Sequence, residues 1–337
     1  MRPTTPTRPR ALFAMGRRHR DALFPPAATR RLTAYVDLDP DHVTEDFTAE
    51  PALEDVELLI TSWGCPVIDA DVLARAPALK AVVHAAGSVK HHVTQACWER
   101  GLAVSSAAAA NAVPVAEYTV AAVLFANKRV LDIGGLYREH RAPLDWSRLF
   151  PGFGNYRRTV GVVGASLVGR KVLELLRPHD LDLLLADPYV DAAQAAALGA
   201  RHVDLDELVA GSDVVSLHAP ALPETRHLLD ARRLALMREG ATLVNTARGS
   251  LVDTEALTAA ATTGRIHAVI DVTEPEVLPT TSPLYSLPNV LLTPHIAGSL
   301  GGELRRITHS AVDEVERYCS GLPFAHAVHH ATLATSA

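Results

Sequence analysis

The stretch TVGVVGASLVGRKVLELL (159–176) constrains this chain most, because it runs a β-branched apolar segment straight into a glycine turn and then into a helical pattern. Gly164, Ser166 and Gly169 occupy the three glycine positions of a G-x-G-x-x-G turn, with Leu167 and Val168 inside it. Such a turn sets the first N–H groups of the helix, with their partial positive charge, against a diphosphate. The segment therefore reads as a dinucleotide pyrophosphate site. Ser166 departs from the pattern: a Cβ takes room where the backbone approaches the diphosphate, and a hydroxyl donating to a phosphate oxygen recovers part of that loss. Eighteen residues past Gly169, Asp187 ends the next apolar run. A carboxylate there accepts from both ribose hydroxyls and repels a 2'-phosphate. Pro188, Tyr189, Val190 and Asp191 bring no arginine to offset that repulsion, so NAD is expected rather than NADP.

The runs TVGVVGA, LDLLLAD, DVVSLHA, ATLVNTA, HAVIDV and NVLLT have the continuous apolar character of buried parallel strands. Helical patterns at Leu167 to Leu176, Asp191 to Leu198, Asp230 to Arg238 and Thr254 to Thr262 fall between them and predict βαβ connections, hence an α/β doubly wound sheet. The first third of the chain alternates shorter runs, RALFAM, RLTAYVDL, VELLITS, LKAVVHAA and LAVSSA, and predicts a smaller α/β domain with a helix capped by Asp69. Between the two series, PVAEYTVAAVLFANKRVLDIGGLY reads as one long helix opening at Pro114. A last helix, Gly302 to Tyr318, carries Leu304, Ile307, Ala311, Val315 and Tyr318 on one stripe.

With 337 residues, 48% of them hydrophobic, two domains are expected. A formal net charge of -6 gives no reason to expect nucleic acid or an anionic membrane as partner. Cys65, Cys97 and Cys319 are odd in number and far apart, which suits a reducing cytoplasm. Arginines crowd the first ~20 residues as in a transit peptide, but Pro3, Pro6 and Pro9 oppose an amphipathic helix. The first nine or so residues read as a disordered tail, and no apolar run has signal-peptide or membrane-span length. No metal site is expected at His91 and His92, which point to opposite sides if extended, or in the HAVHH tail.

Three further strand ends each deliver one polar residue of the kind a carbonyl reduction needs: Arg248 in NTARGSLVD, Glu276 in DVTEPEVLP and His295 in LLTPHIAGS. Singly, each has a plain alternative as a surface ion pair, a solvated loop acid or a satisfied histidine. Together they mark the carboxyl edge of a doubly wound sheet, where ligands bind.

From about Leu79 to Val315 the sequence resembles the D-isomer-specific 2-hydroxyacid dehydrogenases, in VSLHAPALPETRHLL, NTARGSLVD, AVIDVTEPEVLP, NVLLTPHIAGS and NAVPVAEYTVAAVLFANKR. The resemblance implies a Rossmann-type NAD-binding domain at 113–299, and a flavodoxin-like substrate domain made of 1–112 and 300–337. It implies an active site in the cleft between them, and a homodimer. It places the catalytic triad on Arg248, Glu276 and His295. It sets His218, Ala219, Pro220 and Thr225 along the cofactor, Thr246, Ala247 and Gly298 beside it, and Asp271 near its carboxamide. Glu274 rivals Glu276 by sequence alone; the family's spacing, five residues after Asp271, favours Glu276. NADH then offers hydride to the C2 carbonyl of a small 2-oxo acid, Arg248 holds the carboxylate, and protonated His295, oriented by Glu276, delivers a proton.

The family's loop commonly reads G-x-G-x-D and binds the substrate carboxylate through backbone N–H groups. Here, around Ala86, Gly87 and Ser88, the second glycine and the acid are missing, and Lys90 follows. Thr273 and Val277 stand where the family often has Phe and Pro. Competing expectations are a non-enzymatic NAD-sensing corepressor of the same fold, a dedicated glyoxylate or hydroxypyruvate reductase, and formate or phosphite oxidation. Formate chemistry, needing no His–Glu pair, ranks last.

Overall fold

In the computed structural model, which describes residues 8–51 and 53–333, the apolar runs form two parallel sheets, one in each of two compact units. The first unit takes the described residues up to Asn111 and from Ser299 onward; the second runs from Ala112 to Gly298. The expected N-terminal tail lies outside the described residues except for Arg8 and Pro9. Both are tied down: Arg8 donates to the Thr33 carbonyl and Pro9 accepts from Asp37 N–H.

The first unit contains β1 (Ala11–Ala14), β2 (Val43–Thr44), β3 (Leu58–Thr61), β4 (Ala81–His84) and β5 (Ala103–Ser106), ordered β2-β1-β3-β4-β5. This is the flavodoxin-like order, with its switch point between β1 and β3. Alternation divides each strand between two cores. Phe13, Leu58, Ile60 and Val83 face one side, while Leu12, Leu59, Val82 and Val104 face the other. The Leu304–Cys319 helix closes the first of these cores with Ile307, Ala311 and Val315, all buried.

The second unit contains β6 (Arg158–Val163), β7 (Leu181–Ala186), β8 (Arg201–His202), β9 (Val214–Leu217), β10 (Thr242–Asn245), β11 (His267–Ile270) and β12 (Val290–Leu292). Their order, β12-β11-β10-β9-β6-β7-β8, reverses at β6 and β9. That crevice is where a doubly wound sheet binds its ligand. Helices Leu167–Leu176 and Thr254–Thr262 coincide with the expected ones, and Ala192–Ala197 begins on a capping box made by Asp191 and Gln194.

Three expectations are corrected. RLTAYVDL is no strand: Arg31 to Tyr35 finish the Pro26–Tyr35 helix, which Pro26 opens and in which Ala28 and Leu32 make the buried stripe. The long helix begins at Ala108, six residues before Pro114, and ends at Asn127. Arg129, at φ +53°, breaks the path before a second helix, Val130–His140. The Ala108–Asn127 helix is also long and apolar enough to cross a bilayer, against the expectation of no such run. Its Ala116, Ala122 and Val123 instead pack on Val160 and Val162 of the second unit's core.

Ile307→Ala should lower unfolding free energy by about 2–5 kcal/mol in urea titration, because a fully buried methyl-rich side chain leaves a cavity in the first unit. A loss below about 1 kcal/mol would show that this helix only rests on the unit's surface.

Candidate active site

The glycine turn leaves β6 at Gly164, whose φ of +96° suits only glycine and where a Cβ would stand 2.6 Å from Ala219 N. At Gly169 a Cβ would meet the Gly164 carbonyl oxygen at 2.0 Å, so the helix sits directly on the strand end. Ser166 is the N-cap of the Leu167–Leu176 helix, its Oγ accepting from Gly169 N–H at 3.3 Å. That role uses the oxygen as acceptor and leaves the hydroxyl proton free to be donated. Leu167 is half exposed at the first helical position, and Val168 turns toward the core.

Asp187 follows β7, its carboxylate accepting from Ala165 N–H at 2.6 Å and Tyr189 N–H at 2.8 Å. Gly164, Ser166 and Asp187 line one groove of about 690 Å³ with Ala219, Pro220 and Thr225. The Thr225 hydroxyl is spent inside its own loop, donating to the Pro220 carbonyl at 2.6 Å and accepting from Leu222 N–H at 2.8 Å. His218, after β9, is buried; Ser216 Oγ meets its Nε2 at 2.8 Å, and its Nδ1 has no partner among the described residues. Burial pushes the imidazole down to about 3, so it is neutral. A glycine cradle that admits no Cβ, a strand-end carboxylate and an orphaned ring nitrogen together fit a dinucleotide.

On the same edge, β10 leads to Arg248. The buried Asn245 shapes this turn: its Nδ2 donates to the Arg248 carbonyl at 2.9 Å and its Oδ1 accepts from Ala247 N–H at 3.1 Å. Thr246 is buried and meets Thr119 Oγ1 at 2.8 Å. Arg248 keeps an exposed surface, yet desolvation by surrounding protein lowers its pKa from the ordinary guanidinium value, the Glu276 charge opposing. Gly249 permits the approach of this turn to the next, since a Cβ would meet the Thr273 backbone at 2.1 Å.

Past β11, Asp271 is buried and accepts three protein hydrogen bonds, from Thr293 Oγ1 at 2.6 Å, Ile296 N–H at 2.8 Å and Ala297 N–H at 2.9 Å. It thus braces the loop that carries His295, which adopts φ +55°. His295 Nδ1 lies 2.5 Å from Glu276 Oε1, with both side chains more than half exposed. Glu274, the rival acid, turns away to Arg226 at 2.8 Å. That bond and the neighbouring His227 hold its carboxyl below the usual range. Thr273 Oγ1 donates to the Pro275 and Glu276 carbonyls, shaping the loop from within, and Val277 is exposed. Gly298 ends the second unit's sequence.

In the first unit, Ala86, Gly87 and Ser88 follow β4. Among the described residues no acceptor meets the N–H groups of Ala86, Gly87, Ser88 or Val89. Successive unpaired N–H groups in a turn make a concavity suited to an anion. No group of three metal-ligating side chains occurs among the described residues.

Residues 120–297, just over half of the chain, match the family described as D-isomer specific 2-hydroxyacid dehydrogenase, NAD binding domain. This chain belongs to that family. It is 39% identical over 236 residues to D-3-phosphoglycerate dehydrogenase of Mycobacterium tuberculosis, an alignment covering 69% of this chain and 43% of that one. The chain thus spans under half the length of that relative. It is 34% identical over 237 residues to glyoxylate reductase of Thermofilum pendens, covering 69% of each. D-lactate dehydrogenase of Aquifex aeolicus, solved with NAD and lactic acid, superposes with a TM-score of 0.72 at 27% identity, covering 92% of this chain and 96% of that one.

Sequence reasoning missed Asn245 and Gly249. Their signal was present in the run NTARGS, but their partners lie at Arg248 and Thr273, and only the fold makes the second contact. Gly249→Ala should force the two turns apart, costing about 1–3 kcal/mol of unfolding free energy in urea titration. Unchanged stability would show that the two turns do not press on each other.

Proposed function

We propose that this chain is a D-specific, NAD-dependent 2-hydroxyacid dehydrogenase that interconverts a small 2-oxo acid and its 2-hydroxy acid. The observation that carries this reading is the His295–Glu276 pair at 2.5 Å on the same sheet edge as Arg248 and the glycine turn. When bound, NAD(H) supplies or accepts the hydride at C2.

Glu276 engages Nδ1, so Nε2 is the nitrogen left to exchange a proton with the substrate oxygen. In reduction, imidazolium Nε2–H donates as alkoxide character develops; in oxidation, neutral Nε2 withdraws the hydroxyl proton. The Arg248 guanidinium pairs with the substrate carboxylate and polarises the adjoining carbonyl. In the first unit, the unpaired N–H groups at Ala86 to Val89 suit a carboxylate in their own right. Gly164, Ser166 and Gly169 would hold the diphosphate and Asp187 the adenosine ribose, with His218, Ala219, Pro220 and Thr225 along the groove. Thr246, Ala247 and Gly298 would flank the nicotinamide, and Asp271 has one acceptor position left for its carboxamide. The relatives' names share a 2-oxo or 2-hydroxy carboxylate head, which is the part these donors address.

We further propose a cytoplasmic homodimer, with neither nucleic acid nor membrane as partner. The groove lined by Tyr118, Phe125, Val130 and Leu131 of the Ala108–Asn127 and Val130–His140 helices and by Val269 and Leu291 of the sheet is an apolar face that a second copy would cover.

His295→Ala should cut turnover by about two to four orders of magnitude while NADH still binds. Glu276→Gln replaces the carboxylate that orients the imidazole through Nδ1 and should lower kcat at least about tenfold, whereas Glu274→Gln should not. Near-normal turnover of His295→Ala sinks the mechanism, and a loss with Glu274→Gln in place of Glu276→Gln reassigns the acid. Catalytic efficiency with NADH should exceed that with NADPH at least about tenfold, and Asp187→Ser should narrow the gap. Equal efficiency in the wild type would remove Asp187 from the ribose site.

A further inference from the structure

The Ala86–Val89 backbone lacks the glycine and acid that commonly shape this loop, so its conformation needs another cause. The start of the loop is tied to the sheet: Ala85 N–H donates to the Thr61 carbonyl at 2.7 Å, and Ser62 Oγ to the Ala85 carbonyl at 2.8 Å. The remainder is flanked on both sides in the chain by members of a buried polar group of three, Thr61, His84 and His92. Thr61 ends β3, fully buried; its Oγ1 meets His84 Nδ1 at 2.8 Å and His92 Nε2 at 3.3 Å. The two ring centroids lie 4.5 Å apart with the planes tilted at 39°, and each residue is 3% exposed. His84 ends β4 immediately before the loop, and His92 closes it, with His92 N–H donating to the Val89 carbonyl at 3.2 Å.

Burial lowers His92 to about 4 and His84 well below its ordinary value, the neighbouring imidazoles adding to it, so both rings are neutral. A neutral imidazole has one donor and one acceptor nitrogen, and a threonine hydroxyl donates once. One arrangement serves all three: His92 Nε2–H donates to Thr61 Oγ1, and Thr61 O–H donates to His84 Nδ1. His84 keeps one donor, and the Ser88 backbone faces that ring and favours its donating form, as a carbonyl oxygen does. The Ser88–Val89 peptide is trans, so a Ser88 carbonyl directed at His84 turns Val89 N–H the opposite way, away from the ring.

We propose that His84 is a positioning residue which, through Thr61 and His92, holds the Ala86–Val89 backbone with its N–H groups presented to a substrate carboxylate. This rests on the carboxylate reading of the loop given above. The relay sets substrate affinity and leaves proton transfer at His295 and cofactor binding to the second unit.

The test compares wild type, Thr61→Val, Thr61→Ser and His84→Phe as full chains. It measures KM and kcat for the preferred 2-oxo acid, the dissociation constant of NADH, and calorimetric binding of oxamate, an unreactive mimic of a 2-oxo acid. Thr61→Val keeps the shape of the side chain and removes the hydroxyl. It should raise KM and weaken oxamate at least about tenfold, with kcat within about threefold and NADH affinity unchanged. Thr61→Ser should restore wild-type values, and His84→Phe should match Thr61→Val. Unchanged KM and oxamate affinity in Thr61→Val, equal losses in kcat and NADH affinity, no rescue by serine, or no oxamate binding to the wild type would each overturn the proposal. If the wild type turns over no 2-oxo acid yet binds oxamate through Thr61, the enzymatic reading falls and the relay stands.

Discussion

The site hangs on a buried carboxylate met by hydrogen-bond donors: Asp271 accepts from Thr293 Oγ1 and from the N–H groups of Ile296 and Ala297, all on the loop that carries His295. A buried charge left without such donors is costly, so these bonds fix the loop as firmly as the charge demands. The same residue reaches both neighbours through its backbone, its N–H donating to the Asn245 carbonyl and its carbonyl accepting from His295 N–H. Asn245 in turn braces the turn of Arg248. Three parallel strands, β10 to β12, thereby bring an arginine, a glutamate and a histidine to one edge through backbone and buried polar bonds, while these three side chains themselves remain open to solvent.

That arrangement separates holding from reacting. Exposed ion pairs contribute little to stability, so the His295–Glu276 pair adds little to the fold, and the proposed proton transfer is the role left for it. The stability comes from the two-sided cores of each sheet, whose strands present alternate residues to opposite faces. The first unit repeats the logic with neutral groups, a buried threonine hydrogen-bonded to the two histidines that bracket a loop of unpaired N–H groups.

The second unit's strands were legible because both faces are buried and the runs are continuous, as in LDLLLAD and ATLVNTA. The glycine turn and the capping Asp69 were legible for local reasons, whereas Asp191, Asp230 and Asp253 emerge as N-caps only in the fold. RLTAYVDL misled because Thr33, Tyr35 and Val36 have strand propensity, while the helix is decided by Pro26 and the burial of Leu32. Pro114 misled because proline marks a first turn on average, whereas here the helix had already started in the alanine run from Ala108. The choice between Glu274 and Glu276 was beyond local sequence, since it turns on Arg226, distant in the chain and adjacent in the fold.

The proposed chemistry moves a hydride and a proton on a 2-oxo acid with one stereochemical outcome. Incubating the wild type with NADH and a panel of small 2-oxo acids, following nicotinamide absorbance and resolving the 2-hydroxy acid on a chiral column, tests it. NADH should be consumed with at least one acid of the panel, and the product should have the D configuration. NADH binding without turnover of any acid, or an L product, would contradict it.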